Sequence, residues 1–406
     1  MINALTKEQN LLLNLIAKGV SSKSVDIDLE MLGVVDWKVL VRESRVQSVM
    51  YLAFESAKPF KKHIPVDVYP VWENASMLVL SSNLSVFNDQ VELIRLLDGK
   101  YPYIILKGQS AGHYYPNPEH RAYGDVDFLV DKNSVTAIES ILLENGYEKV
   151  GLEHDNHVVF KKGTANLEMH FRVAGIPFGE LGKKVVTFLN PALETAEINS
   201  TEFGNFNAPS PLYHGLILLL HMQHHMLGEG LGLRHLCDYA VYFDKTKNEP
   251  FWKETLIPFL KEIGLYTYAS IMAKTCSLAF NLDYPNFFEE VSEELCIEIL
   301  QDVFKGGTFG TKDEDRKKSG MLISEHGNSG TRHGSIYNLA DGLHGAVLTQ
   351  YKIVKKVWIL YPFIYSYRAF RFLFLTMIGK KPKLSKMNAQ AKERKSVYEK
   401  LKVFQP

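Results

Sequence analysis

The stretch "LKGQSAGHYYPNPEHRAYGDVDFLV", residues 106–130, decides the fold. Its last six residues read as a strand, in which successive side chains point to opposite faces. Asp125 and Asp127 therefore share one face, while Val126 and Phe128 point into a core. Two neighbouring carboxylates repel, and a site that keeps both charged supplies a cation. Oxygen ligands at this spacing suit a hard ion, Mg²⁺ or Mn²⁺, which usually holds phosphate oxygens as well. Just upstream, Gly108 and Ser110 lie in a glycine-containing turn between a strand and a helix start, a geometry in which backbone N–H groups cradle phosphate. Lys107 and Arg121 add fixed positive charge close to the acids.

Working outward, "YPYIILKG" is a short β-branched and aromatic run, and "SVTAIESILLENGY" reads as a helix from Ser134 closed by Gly146. "ANLEMHFRV" alternates, with Leu167, Met169, Phe171 and Val173 on one face and Asn166, Glu168, His170 and Arg172 on the other. Glu168 then supplies a third carboxylate from a neighbouring strand, a frame for two ions of the kind that in-line displacement at phosphorus uses. His170 and Arg172 share its face, either to orient Glu168 and contact substrate or as ordinary structural pairs.

The expected fold class is α+β, a small mixed sheet flanked by helical regions on both sides. Residues 1–98 read as helical, with Thr6 and Gln9 at capping-box spacing and Leu80, Leu84, Phe87, Val91 and Ile94 as one apolar stripe. "DWKVLVRESRVQSVMYLAFES" continues at helical period. Residues 99–208 form the α/β core, 209–304 a second helical region, 305–335 a loop rich in glycine and charge, and 336–406 a helical region with a basic tail.

The apolar run at 357–379 is interrupted by Pro362, Arg368 and Arg371, so it reads as a buried or interfacial helix and not as a transmembrane span. Lysines flank it (Lys352, Lys355, Lys356, Lys380, Lys381, Lys383, Lys386), which gives peripheral contact with an anionic membrane as the second reading.

Lys+Arg and Asp+Glu both number 46, and this zero formal charge argues against a protein built to coat nucleic acid. Three cysteines, Cys237, Cys276 and Cys296, form no close-spaced metal or redox motif. With no secretion signal in "MINALTKEQNLLLNL", the expected location is cytoplasmic.

The ordered motifs "ILKG", "YYPNPEHRAYGDVDFLV", "LLENGY" and "LEMHFR" resemble the uncharacterised bacterial nucleotidyltransferase family of the polymerase-β-like superfamily. The resemblance covers residues 104–173 and touches helical flanks on both sides. It implies a nucleotidyltransferase fold, with Asp125 and Asp127 as paired metal ligands and Glu168 as the third carboxylate. The chain departs from the superfamily at Gly108-Gln109-Ser110, where Gly-Gly or Gly-Ser is usual.

Residues and resemblance together predict a Mg²⁺- or Mn²⁺-dependent nucleotidyltransferase. It moves a nucleoside monophosphate from an NTP to a hydroxyl on a small molecule, glycan precursor, protein or RNA, and Lys107, Gly108, Ser110 and Arg121 hold the nucleotide phosphates. The alternatives are a catalytically inactive binding protein of the same fold and a metal-dependent phosphohydrolase built on His154 and His157 of "HDNH". His221 and His225 fall at i, i+4 without a zinc-protease glutamate and read as ordinary helix histidines. Arg234 and Asp238, also at i, i+4, are expected to pair along their helix.

Overall fold

The computed structural model describes residues 2–21, 25–151, 156–177, 179–313, 316, 361–377, 394 and 397–405. Helix α1 (Lys7–Val20) opens on the predicted capping box: Gln9 N–H donates to Thr6 Oγ1 at 3.2 Å and Thr6 N–H to Gln9 Oε1 at 3.0 Å. Four helices follow, α2 (Leu29–Val34), α3 (Trp37–Val46), α4 (Met50–Ala57) and α5 (Tyr69–Leu97). The run that reads as one helical period is broken at Ser48, whose φ of 56° belongs to the left-handed region and separates α3 from α4.

The stripe predicted on α5 is also corrected. Leu84 and Val91 are exposed, and the buried face instead carries Asn83, Val86, Phe87, Gln90, Leu93 and Leu97. Two polar residues lie on that face because they hold the loops of the site, as described below.

The α/β part contains β1 (Tyr103–Ile105), α6 (Gln109–Gly112), β2 (Val126–Val130), α7 (Val135–Glu144), β3 (Glu148–Val150), β4 (His157–Lys162) and β5 (Ala165–His170). The five strands form one mixed sheet in the order β1-β2-β5-β4-β3, with β2 antiparallel to β1 and parallel to β5. Helix α8 (Gly179–Leu189) leads to a separate hairpin of β6 (Glu197–Thr201) and β7 (Gly204–Ala208). The fold is thus α+β, a five-stranded mixed sheet with flanking helices.

Alternation along β2 divides the sheet into two faces. Val126, Phe128 and Val130 pack into a core with Phe87 and Leu93 of α5 and Ile138 and Leu142 of α7. Each such large side chain, fully buried, contributes roughly 1.5–3 kcal/mol relative to exposure. Ile104, Leu106 and Leu129 face the other way and join the core of the helical regions. Asp127 sits on this second face, next to those helices.

They are α9 (Pro211–Leu227), α10 (Leu233–Thr246), α11 (Ile257–Glu262), α12 (Tyr266–Phe280) and α13 (Glu293–Gly306). A further helix, Tyr361–Met377, exposes Phe363, Tyr367, Phe370 and Phe374. Among the described residues no helix is long and apolar enough to cross a membrane. Of the predicted loop 305–335, only residues 305–313 and Arg316 are described; the lysines flanking 357–379 lie outside the described residues. Cys237, Cys276 and Cys296 are free and buried.

Candidate functional site

The sheet face that carries Asp127 forms one wall of a cavity of about 300 Å³, and α9, α10 and the turn at Phe309 form the other. On the sheet wall, the parallel register sets Asp127 directly beside Glu168. Asp125, two residues before Asp127, lines the same cavity. The three predicted carboxylates therefore meet because β2 and β5 are neighbours in parallel register.

Asp127 is buried and doubly compensated. Its Oδ1 accepts from Lys107 Nζ at 2.9 Å and lies 2.9 Å from His170 Nε2, which also stands 3.5 Å from Glu168 Oε2. Burial alone would raise the pKa of this carboxyl, but the Lys107 charge and the His170 hydrogen bond outweigh it and hold Asp127 far below the usual carboxylate range. The same contacts raise Lys107 and His170 against the burial that would lower them. Asp125 behaves oppositely: burial first, then the charge of Asp127, push it up to about 6.

The donor set fits a hard cation. Asp127 and Glu168 offer carboxylate oxygens within 4.8 Å of one another, and Asp125 adds a carboxylate whose negative charge is left under-compensated. A divalent ion among these oxygens would supply the missing charge.

Gly108 lies in the left-handed region at φ 57° and caps the four-residue α6, a backbone conformation that L side chains rarely adopt. Ser110, expected at the phosphates, donates its hydroxyl to Ile105 O at 2.5 Å and is buried away from the cavity, where it ties α6 to β1. The polar face of α5 secures the neighbouring loop. Asn83 Nδ2 donates to Glu119 O at 3.0 Å and Arg121 O at 2.8 Å, Tyr123 N–H donates to Asn83 Oδ1 at 2.9 Å, and Gln90 donates to Gln109 at 3.1 Å.

Arg121 lines the cavity, but its guanidinium is engaged. It makes a bidentate pair with Asp238 of α10, both contacts at 2.8 Å, and Tyr115 Oη donates to the same carboxylate. This corrects the expected Arg234–Asp238 pair: Asp238 bonds across to the loop, and no carboxylate among the described residues pairs with Arg234. Arg172 points elsewhere, donating to Pro177 O at 3.3 Å.

The helical wall brings His221 and His225 of α9 against His235 of α10, with ring centroids 4.3 to 5.4 Å apart. Phe309, at φ 56° between Gly307 and Gly310, lies over His225 and His235 at 4.9 and 5.4 Å. Burial lowers the pKa of all three histidines, His235 to about 3, so the cluster is neutral at physiological pH. Gly232 N–H donates to His235 Nδ1 at 3.1 Å, which leaves the ring proton on Nε2. That Nε2 is buried without a partner.

Sequence reasoning missed Arg234, His235, Glu229 and Phe309 as cavity residues. The shared face of His221 and His225 was legible; that it looks into a cavity depends on the helices packed around it. Of the "HDNH" cluster, His154 lies outside the described residues, and His157 stacks near His170 at 4.9 Å.

No curated protein and no solved structure matches the chain. A family model does: that of an uncharacterised nucleotidyltransferase, over residues 33–281. This span is more than half of the chain and takes in the whole sheet, the carboxylates, and α9 and α10. The protein therefore belongs to this uncharacterised nucleotidyltransferase family.

Proposed function

We propose that the cavity transfers a nucleoside monophosphate from an NTP to an acceptor hydroxyl, releasing pyrophosphate, with Mg²⁺ or Mn²⁺ as cofactor. The observation that carries this reading is the parallel register that sets Asp127 beside Glu168, with Asp125 in the same cavity. Asp125, Asp127 and Glu168 would hold the divalent ions, whose charge helps to deprotonate the hydroxyl and to neutralise the leaving pyrophosphate.

The chain's own groups do the rest. Lys107, 2.9 Å from Asp127, faces the position of the phosphates and steadies their charge. The Gly108 turn brings backbone close to them, and Ser110 fixes that turn from behind. Arg121 contributes by locking the loop before Asp125 onto α10. His170 holds the Asp127 and Glu168 carboxylates in their mutual orientation. The acceptor's proton goes to a carboxylate of this set or to solvent. The acceptor class remains a small molecule, glycan precursor, protein or RNA, and the proposed location is cytoplasmic.

Asp127→Asn should abolish turnover of α-labelled NTP with Mg²⁺ while the melting temperature shows a folded protein. Transfer retained in that variant would overturn the assignment.

A further inference from the structure

Three permanent cations line the cavity, and two are already compensated. Lys107 pairs with Asp127 and Arg121 with Asp238, whereas Arg234 has no carboxylate partner among the described residues. Its Nη1 reaches Ala122 O only at 3.5 Å, and its Nε is buried with no hydrogen-bond partner. Burial and then the like charge of Arg121 disfavour its charged form, and the more distant charges of Asp238 and Asp125 offset this only in part. A half-buried charge with no direct ion pair is costly to hold, and an anion brought to it recovers that cost.

Arg234 is nevertheless held in place. It is the second residue of α10, where Gln47 accepts Leu233 N–H on its side chain at 3.0 Å and Arg234 N–H on its carbonyl at 3.4 Å. The Phe309 ring lies 5.4 Å from the guanidinium. Next to it, His235 carries its proton on a buried, unpartnered Nε2.

We infer that Arg234, with the His235 Nε2–H beside it, forms a phosphate-binding subsite on the helical wall, opposite the carboxylates. The planar guanidinium fork matches two phosphate oxygens, and the neighbouring N–H supplies a neutral donor for a third. The ligand atoms of His221, His225 and His235 lie within 4.8 Å of one another, but the tautomer of His235 favours an anion over a cation at this ring. His235 can offer Nε2 to an ion only by moving its proton to Nδ1, which already faces the Gly232 N–H donor. The subsite rests on the transferase reading only for the source of its phosphate, which is either the nucleotide's terminal phosphates or a phosphorylated acceptor.

The test titrates tripolyphosphate in EDTA, by calorimetry, into the wild type, Arg234→Met, Arg234→Lys and the Asp125→Asn/Asp127→Asn double variant. Expected are binding to wild type, a loss of at least about tenfold in Arg234→Met, partial rescue in Arg234→Lys, and equal or tighter binding in the double variant. Arg234→Met should also melt no lower than wild type, because it removes an uncompensated charge. Tripolyphosphate affinity unchanged in Arg234→Met, or no binding to folded wild type, overturns the subsite; so does a lower melting temperature with unaltered affinity.

Mg²⁺–NTP titrations of the same proteins separate the two readings. Mg²⁺–NTP binding that is absent, or indifferent to the Asp125→Asn/Asp127→Asn change, tells against the transferase site, while the tripolyphosphate result stands by itself. Arg234→Met weakening both ligands alike identifies the nucleotide as the source of the phosphate. Weakened tripolyphosphate with intact Mg²⁺–NTP binding identifies a phosphorylated acceptor.

Discussion

Asp125 and Asp127 are chemically identical and only two positions apart, yet their surroundings drive their proton affinities in opposite directions. Asp127 receives Lys107 and His170, and Asp125 receives chiefly burial and its neighbour's charge. With a folded-state pKa of about 6 against an ordinary 3.8, native Asp125 keeps a proton that the unfolded chain has already released. Stability from this group is therefore lost as pH rises from about 4 to 6. Asp125→Asn and wild type should melt alike near pH 4 in EDTA, and the variant should be the more stable at about pH 7, by up to about 3 kcal/mol. A constant difference across that range would show that the burial acts on some other group. At this scale the sequence was informative where chemistry is local. Period-two alternation put Asp125, Asp127 and Glu168 on their faces, because alternation needs only the strand itself. It failed for Arg234, because Asp238, four residues along the same helix, is taken by Arg121 from 117 positions away.

Between elements, polar side chains do what apolar periodicity does not reveal. Gly232 opens α10 with no side chain to cap it, and a Cβ there would come within 2.0 Å of Thr308 Oγ1. The cap comes instead from Gln47, at the end of α3, which accepts Leu233 N–H and donates to Glu43 and Val303 O. Gln47→Leu orphans the buried Leu233 N–H, at a cost of about 1–3 kcal/mol, while Glu43 keeps Lys312 and Val303 O keeps the Gly307 N–H. Urea unfolding should show a loss of at least about 1 kcal/mol; a smaller loss would mean that water or a shifted partner takes over. The same logic explains the stripe on α5. Phe87 follows the hydrophobic pattern, but Asn83 and Gln90 are buried with it because loop carbonyls, a loop N–H and Gln109 need them. Helix type could be read from spacing, whereas rotation about the axis was set by these tertiary partners.

For the whole molecule, the Arg121–Asp238 pair is the charged tie, among the described residues, between the carboxylate loop and the helical wall. Removing either partner leaves the other charge buried, which typically costs 3–5 kcal/mol, roughly, whereas replacing both with apolar side chains is often neutral or stabilising. Arg121→Met and Asp238→Leu should each lower stability by about 3 kcal/mol or more, with most of that recovered in the double variant. Additive losses in chemical denaturation would show that the two residues act separately. The α+β arrangement itself was readable, since the change from helical to alternating period and back marks the sheet's limits. The second wall was not, because it is built from histidines, an arginine and a phenylalanine that meet only when α9, α10 and the turn at Phe309 are packed together.

The two long-range partners of the Gln47 side chain lie 186 and 256 residues further along the chain. At ordinary translation speeds of roughly 5–20 residues per second, the second arrives on the order of tens of seconds after Gln47 itself leaves the ribosome. Until then the buried end of α3 lacks the partner that Val303 supplies. The nascent chain therefore passes through a long interval in which the acids are already synthesised but the pocket they face is not, and the cavity closes only when the turn at Phe309 has been made.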